Sequence, residues 1–405
     1  MSDEWIETTL GEVASLTIGR TPPRKDSRYW TDDVTLPFCT IADMKGWTLY
    51  PTREGVTPLA VAEGKAKRVP AGSLLMSFKL TIGRVAFAGR DLFPNEAIVW
   101  IRPSRADVNV RYLAYWLDAQ ELAAGSGRAV KGNTLNGESL RAIRVVLPPL
   151  SVQRRIVDLI GHLDTHLANL QTERDSARAL MEALREELLT PRGGWQRVTL
   201  SELTCKIGSG ATPRGGEQSY KTHGVSLIRS QNIHDGAFMM KGLARIDDEQ
   251  ARALNGVTVE SGDCLTNITG ASVNRTCVVP DDVLPARVNQ HVAIVRPSPG
   301  KTTGHFISQS LRLRATRRHM DRMATAGTTR QAITKSQLEA IVIDIPSNFD
   351  EQVAIATTLS DAEHLIQTFE EESAALSSLR TNVISGLLTA SKIIPESYDG
   401  LLAVV

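Results

Sequence analysis

The side chains best suited to chemistry here are arginines, lysines, asparagines and glutamines on glycine-rich loops. In the first half of the chain they are Arg20, Thr21, Asp43, Lys79, Thr81, Arg84, Lys131, Asn133 and Thr134. In the second half they are Arg229, Gln231, Asn232, Thr269, Ser272, Asn274, Arg275, Thr329, Arg330 and Gln331. Such groups make paired hydrogen bonds to guanine and adenine edges in the major groove of duplex DNA. They are equally the residues of ordinary solvated turns. A further group, Arg312, Arg314, Arg317, Arg318 and Arg322, falls inside one expected helix, His305–Met323, with only Asp321 to balance it. A charged run is usually a wet face, but this many unbalanced cations favour phosphate contact.

The spacings that would support catalysis fail. Gly300-Lys301-Thr302 resembles the end of a phosphate loop, but Val295 stands where that loop needs its first glycine. Gly208-x-Gly210 lacks a third glycine at the required place. Pro280-Asp281 is not followed by the acidic-x-Lys pair of a nuclease site, and no Asn-Pro-Pro-aromatic stretch for amino-methyl transfer occurs. His162 and His166 lie one helical turn apart without a third ligand. Solvated helix flanks account for them, and no metal or cofactor is expected.

The elements that must position the loops come in two copies. Trp5…Leu10, Ile18…Thr21-Pro22, Gly72-Ser73-Leu74-Leu75, Asn95…Arg102-Pro103 and Pro148…Gln153 return as Trp195…Leu200, Ile207…Thr212-Pro213, Gly262-Asp263-Cys264-Leu265, Asn289…Arg296-Pro297 and Pro346…Gln352. Shared positions, including Thr21/Thr212, Gly72/Gly262, Arg84/Arg275 and Asn95/Asn289, read as scaffold or backbone-positioning elements. Matched loops that differ are the readout candidates. These are Thr40–Asp43 against Arg229–Asn232, Lys79–Thr81 against Thr269–Asn274, and Lys131–Thr134 against Thr329–Ala332. Strands are expected at Val34–Thr40, Ser73–Phe78 and Ala97–Ile101, and at Val225–Arg229, Cys264–Ile268 and Val292–Val295. Helices are expected at Tyr112–Leu122 and His305–Met323.

Each copy ends in heptads. Ile156, Leu163, Leu170, Ala177 and Leu184 form one series, with Ile160, Leu167, Arg174, Met181 and Leu188 four residues on. The second copy keeps Ile355, Ala362, Phe369, Leu376 and Val383, then Leu359, Ile366, Ser373, Arg380 and Leu387. This narrow stripe is a coiled-coil signal, over roughly 50 Å of helix. Antiparallel pairing sets Leu163 opposite Arg380 and Arg174 opposite Phe369, each arginine laying its stem on an apolar partner while its head reaches water. Pro148-Pro149-Leu150-Ser151 suggests a rigid step before a Ser151 N-cap, and Pro346–Asp350 a similar start. The fold class is α+β. Two mixed α/β domains are expected at 1–150 and 191–346, with helices at 151–190 and 347–392 and a tail at 393–405.

The totals agree with this division. At 405 residues the chain exceeds the usual limit for one core. Cys39, Cys205, Cys264 and Cys277 lie far apart, as expected of reduced thiols in a cytosolic protein. No leader-like n-region opens the sequence, and no run of about eighteen apolar residues occurs, so secretion and membrane spanning are not expected. A net charge of +1 argues against a simple nucleic-acid binder, which usually carries a strong basic excess.

The chain resembles the specificity subunits of type I restriction-modification systems, over nearly its whole length. The resemblance is carried by Trp5-x-x-x-x-Leu10-Gly11 and Trp195-x-x-x-x-Leu200-Ser201, by Ile18–Pro22 and Ile207–Pro213, and by Leu147-Pro148-Pro149-Leu150-x-x-Gln153. The second copy departs, with Ile345-Pro346-Ser347 in place of the double proline. The resemblance implies a non-catalytic subunit whose two target-recognition domains each read one half of a split, asymmetric site on double-stranded DNA. The helices would act as a ruler for the unread spacer. It implies two methyltransferase (modification) subunits docked on the helical regions, supplying S-adenosylmethionine and adenine methylation, together with motor-nuclease (restriction) subunits. Such partners would supply much of the DNA grip. The competing readings are a fused methyltransferase-nuclease and a double-headed structural adaptor without DNA readout.

Overall fold

The computed structural model describes residues 5–120, 135–325 and 331–399. They divide into two compact units: Leu170–Ser373, and a second made of the residues up to Asn169 with those from Ala374 onward. Each unit joins one sheet domain to half of each long helix.

In the first unit, Ile6–Thr9 pairs antiparallel with Arg144–Leu147, closing the domain just before its long helix. A five-stranded sheet follows in the order Ala14–Ile18, Ile98–Pro103, Leu74–Ser77, Val85–Ala88 and Thr48–Leu49. Val99 lies between Ile18 and Met76 at the centre. Helix Val110–Asp118 buries Tyr112, Leu113 and Trp116 against this sheet, and Ile156, Ile160, Ile384 and Leu387 of the long helices join the same core.

The second unit repeats the plan. Trp195–Thr199 pairs with Val342–Pro346, and the sheet order is Thr204–Ser209, Val292–Pro297, Cys264–Asn267 and Thr276–Val278. A second four-stranded sheet runs Ala244–Ile246, Val225–Ile228, Ala286–Val288 and Thr258–Val259. The repeat holds atom by atom. Leu10 N donates to Ile143 O at 2.8 Å, and Leu200 N to Ile341 O at 2.8 Å. A Cβ on Gly19 would strike the carbonyls of Pro94 and Asn95, and one on Gly210 the carbonyl of Val288. Thr21 donates to Glu96 and Thr212 to Gln290, which makes both threonines scaffold.

Some expected elements differ. Val34–Thr40 contracts to Phe38–Cys39, because Pro37 has no N–H for a ladder and Asp33 Oδ1 ties Thr35 N into a turn at 2.9 Å. His305–Met323 is two helices, Gly304–Leu311 and Arg314–Thr325, broken where Arg312 turns its side chain inward. The expected Tyr112–Leu122 ends at Asp118, and Leu122 lies outside the described residues. Ser151 falls inside the first turn: the long helix starts at Leu150, directly after Pro149, whose fixed φ already suits a helix start.

The long helices span Leu150–Leu188 and Phe349–Leu388. All ten heptad positions of each are buried or half-buried. Within the second unit Arg178 pairs with Glu370, and one heptad on Arg185 pairs with Glu363, one heptad back, so the helices run antiparallel there. Within the first unit Arg380 reaches Asp164, one position from the register expected. Its head thus meets a carboxylate where water was expected. Among the described residues no helix is long and apolar enough to cross a membrane.

Gln153 welds helix to domain. Its buried amide donates to Pro148 O at 2.8 Å and Asp107 O at 2.9 Å, and accepts from Asn109 N at 2.8 Å. Gln352 repeats the two donations, to Pro346 O at 3.0 Å and Lys301 O at 3.1 Å. Gln153→Leu strands three backbone groups, so urea unfolding of the full chain should show a loss of about 2–5 kcal/mol. A loss below about 1 kcal/mol would mean that water replaces the amide.

Candidate nucleic-acid interface

In each domain the expected readout loops gather around one polar side chain at the end of a buried strand. In the second unit it is Asn267. Its Nδ2 donates to Ser230 O at 2.9 Å and Ser272 Oγ at 3.2 Å, tying the Arg229–Asn232 turn to the loop that follows its own strand. That loop is fixed in turn to the neighbouring segment, Gly270 N donating to Gln331 O at 2.9 Å. Thr269 Oγ1 lies 2.5 Å from His291 Nδ1. Asn274, with φ +74°, donates to Asp321 and so attaches the loop to the arginine-bearing helix. The structure therefore brings Arg229, Gln231, Asn232, Thr269, Ser272, Asn274, Arg275 and Gln331 together.

In the first unit the corresponding residue is Ser77. Its hydroxyl donates to Thr81 O and accepts from Arg84 N at 3.1 Å, pinching the Lys79–Thr81 loop. Arg84 Nη1 reaches Met44 O at 3.4 Å, beside the Thr40–Asp43 turn. The same frame supports both loop sets. Asn95 N donates to Cys39 O at 2.9 Å where Asn289 N donates to Ile228 O at 3.0 Å, and Leu135 N to Phe78 O at 3.0 Å where Ile333 N meets Ile268 O at 2.8 Å.

The candidates separate by what their side chains already hold. Asp43 accepts from Thr40 N at 2.8 Å and Arg53 Nη2 at 2.9 Å, so it shapes its turn. Asn232 is buried, accepting from Arg229 N at 3.1 Å and donating to Met239 O at 2.8 Å. Arg229 bridges Glu217 at 2.6 Å and lies over the Tyr220 ring. Arg20 is exposed and donates to Gly64 O at 2.7 Å. Thr81, Arg84, Gln231 and Gln331 are exposed and Lys79 is half-buried. Lys131, Asn133, Thr134, Thr329 and Arg330 lie outside the described residues.

The arginines do not share one face. Arg312 precedes the second helix and is buried against Glu363. Arg314 pairs with Glu182 at 3.0 Å and Arg317 with Asp235, while Arg318 and Arg322 are exposed. Asp321, the expected balance, is engaged by Asn274.

Ser77, Asn267 and Leu80 escaped sequence reasoning. The first two follow Gly72 and Gly262 by the same five residues and end buried strands, a signal the repeat alignment carries. Leu80 is 77 % exposed at the loop tip, with φ +62°. A branched side chain there stores roughly 1–3 kcal/mol of backbone strain, a feature concentrated at functional sites.

Other expected groups are structural. Lys301 Nζ donates to Glu202 O at 2.8 Å, so it is a tether within its domain. His162 Nδ1 sits 2.9 Å from Asp158 O, and among the described residues no cluster of three metal-ligating side chains occurs. Cys39, Cys205, Cys264 and Cys277 are all unpaired. Burial pushes the Cys39 thiol up to about 12 and that of Cys264 up to about 11, which makes both poor nucleophiles.

Comparison with known proteins agrees with this geometry. The model of the type I restriction modification DNA specificity domain matches twice, at residues 2–177 and 192–377. The chain belongs to this family, whose members supply DNA specificity and not catalysis. It is similar to the type I restriction enzyme MjaIX specificity subunit of Methanocaldococcus jannaschii, 24% identical over 42% of this chain and 40% of that protein. A second protein of that organism, provisionally named the type I restriction enzyme MjaX specificity subunit, is 22% identical over 88% of this chain and 87% of its own length. The crystal structure of an S subunit from M. genitalium shares the fold, with a TM-score of 0.63 at 12% identity, covering 95% of this chain and 96% of that one.

Scaffold and free side chains should part on substitution. Asn232→Ala should lower stability by about 1–3 kcal/mol through loss of buried hydrogen bonds. The exposed Gln231→Ala should stay within about 0.5 kcal/mol of the parent. Denaturant titration distinguishes them, and equal losses would remove the division.

Proposed function

We propose that this chain is the specificity subunit of a type I restriction-modification complex, acting in the cytoplasm. Domains 1–150 and 191–346 each read one half of a split, asymmetric site on duplex DNA. The helices at 151–190 and 347–392 set the unread spacer and dock two methyltransferase subunits, with motor-nuclease subunits joining the assembly; 393–405 is a tail. The observation that carries this reading is one loop frame used twice with different exposed side chains. The Arg229–Asn232 turn exposes Gln231 where Thr40–Asp43 exposes Ala42, and the first domain's loop presents Lys79 and Thr81 where the matched loop carries Thr269 and Ser272. Amide and cationic groups suit adenine and guanine edges respectively.

The helices support docking. Leu180 and Leu365 of the second unit are 70 % and 54 % exposed although their own heptad stripe is covered. Apolar side chains outside the stripe offer a partner helix a surface. Partner subunits would also supply cationic grip, consistent with a net charge of +1 in this one.

Replacing the second domain with a second copy of the first, followed by genome-wide adenine methylation mapping with the partner subunits expressed, should turn the asymmetric site into a palindrome of one half-site across the spacer. An unchanged map would favour a structural adaptor. Inserting one matched heptad into both helices should lengthen the spacer while leaving both half-sites intact, and a constant spacer would sink the ruler.

A further inference from the structure

Below the arginine-bearing helix the second unit contains an open cavity of about 590 Å³. Its floor is a charge cluster. Arg185 Nη2 lies 3.0 Å from Glu363 Oε1, and Arg185 Nε donates to Gln309 Oε1 at 2.9 Å. Arg312 Nη1 forms an ion pair with the same carboxylate oxygen. Arg185 and Arg312 are 6 % and 8 % exposed. Two buried cations therefore share one carboxylate.

The walls do not restore balance. Arg178 is taken by Glu370, Arg317 by Asp235, and Glu182 by Arg314. Arg275 lines the wall half-buried, with no ion-pair partner among the described residues. His234, His305 and His364 complete the titratable lining. Burial holds His305 below its ordinary value, and it lowers Arg185 to about 10, with Arg312 adding to the effect. An uncompensated buried cation is unfavourable unless something anionic joins it.

The first unit shows that the fold does not require this excess. Asp164 stands where Glu363 stands, with Arg380 as its counter-ion. Asp118 follows the helix N-cap Asn109 by nine residues, as Arg312 follows Thr303. That cluster has two carboxylates to one arginine, and the second unit has the reverse.

We propose that the cavity of the second unit is a binding site for a small, free phosphate-bearing anion. Its oxygens take up the Arg275 guanidinium and compete with Glu363 for that of Arg312; both planar forks match phosphate. The volume lies within the range of small-ligand sites. None of the lining residues is phenylalanine, tyrosine or tryptophan, so recognition is of charge and not of a stacked base. Arg312 is too deeply buried for a duplex backbone to reach.

Calorimetric titration of the full chain with inorganic pyrophosphate tests this, at about 0.1 M salt, where surface attraction is largely screened. One saturable site is expected. Arg312→Met should weaken it at least tenfold and Arg275→Gln several-fold. Glu363→Gln, which removes the competing carboxylate, should tighten it several-fold, a gain that misfolding cannot produce. Absence of saturable binding overturns the proposal, as does unchanged affinity in every variant. Displacement of pyrophosphate by duplex DNA overturns it as well, since the phosphate would then be that of the nucleic acid.

Discussion

Each long helix is fixed to its sheet domain by one side-chain amide, which takes carbonyls that lie outside the helix. Gln153 and Gln352 each hold the carbonyl at the start of their helix and a second carbonyl from the loop before the domain's packed helix. A buried amide with partners on both elements permits one direction of departure and no other. The sheet strands, the packed helix and the heptad stripe all take their positions from that junction.

Above it, the loops depend on a smaller device of the same kind. Ser77 and Asn267 end buried strands with a polar group that organises the backbone around it. The frame is thereby separated from the residues it presents. A side chain such as Thr81 faces solvent without a structural task, so it is free to vary, whereas Asn232 and Asp43 are not. A recognition protein that must change its target without losing its fold needs this division of labour.

The heptads and the repeat were legible because each is periodic over many residues, and their physical cause, a stripe covered by one partner helix, acts at every repeat. The single helix expected across Arg312 was not, because Arg312 is turned inward to Glu363, a contact between residues 51 apart that no local periodicity records. The short strand at Phe38–Cys39 was partly foretold by Pro37, which the alternation of apolar residues concealed. Residue type identified the loop candidates but not their employment. Asn232 and Gln231 are neighbours of similar chemistry, and only the tertiary neighbours distinguish the buried tie from the exposed amide.

The two units differ in how the chain assembles them. The second is one uninterrupted stretch, Leu170–Ser373, whereas the first needs the residues from Ala374 onward to complete its helix pair and to bring Asp399 to Arg155. During synthesis, which runs N-terminal first, the second unit has all of its chain while the first still waits for its closing strand of helix. Ile156 and Ile160 must remain uncovered on their distal side until Ile384 and Leu387 arrive. The first domain made is thus the last to be finished, and for that interval its apolar helix face is the most vulnerable surface of the nascent protein.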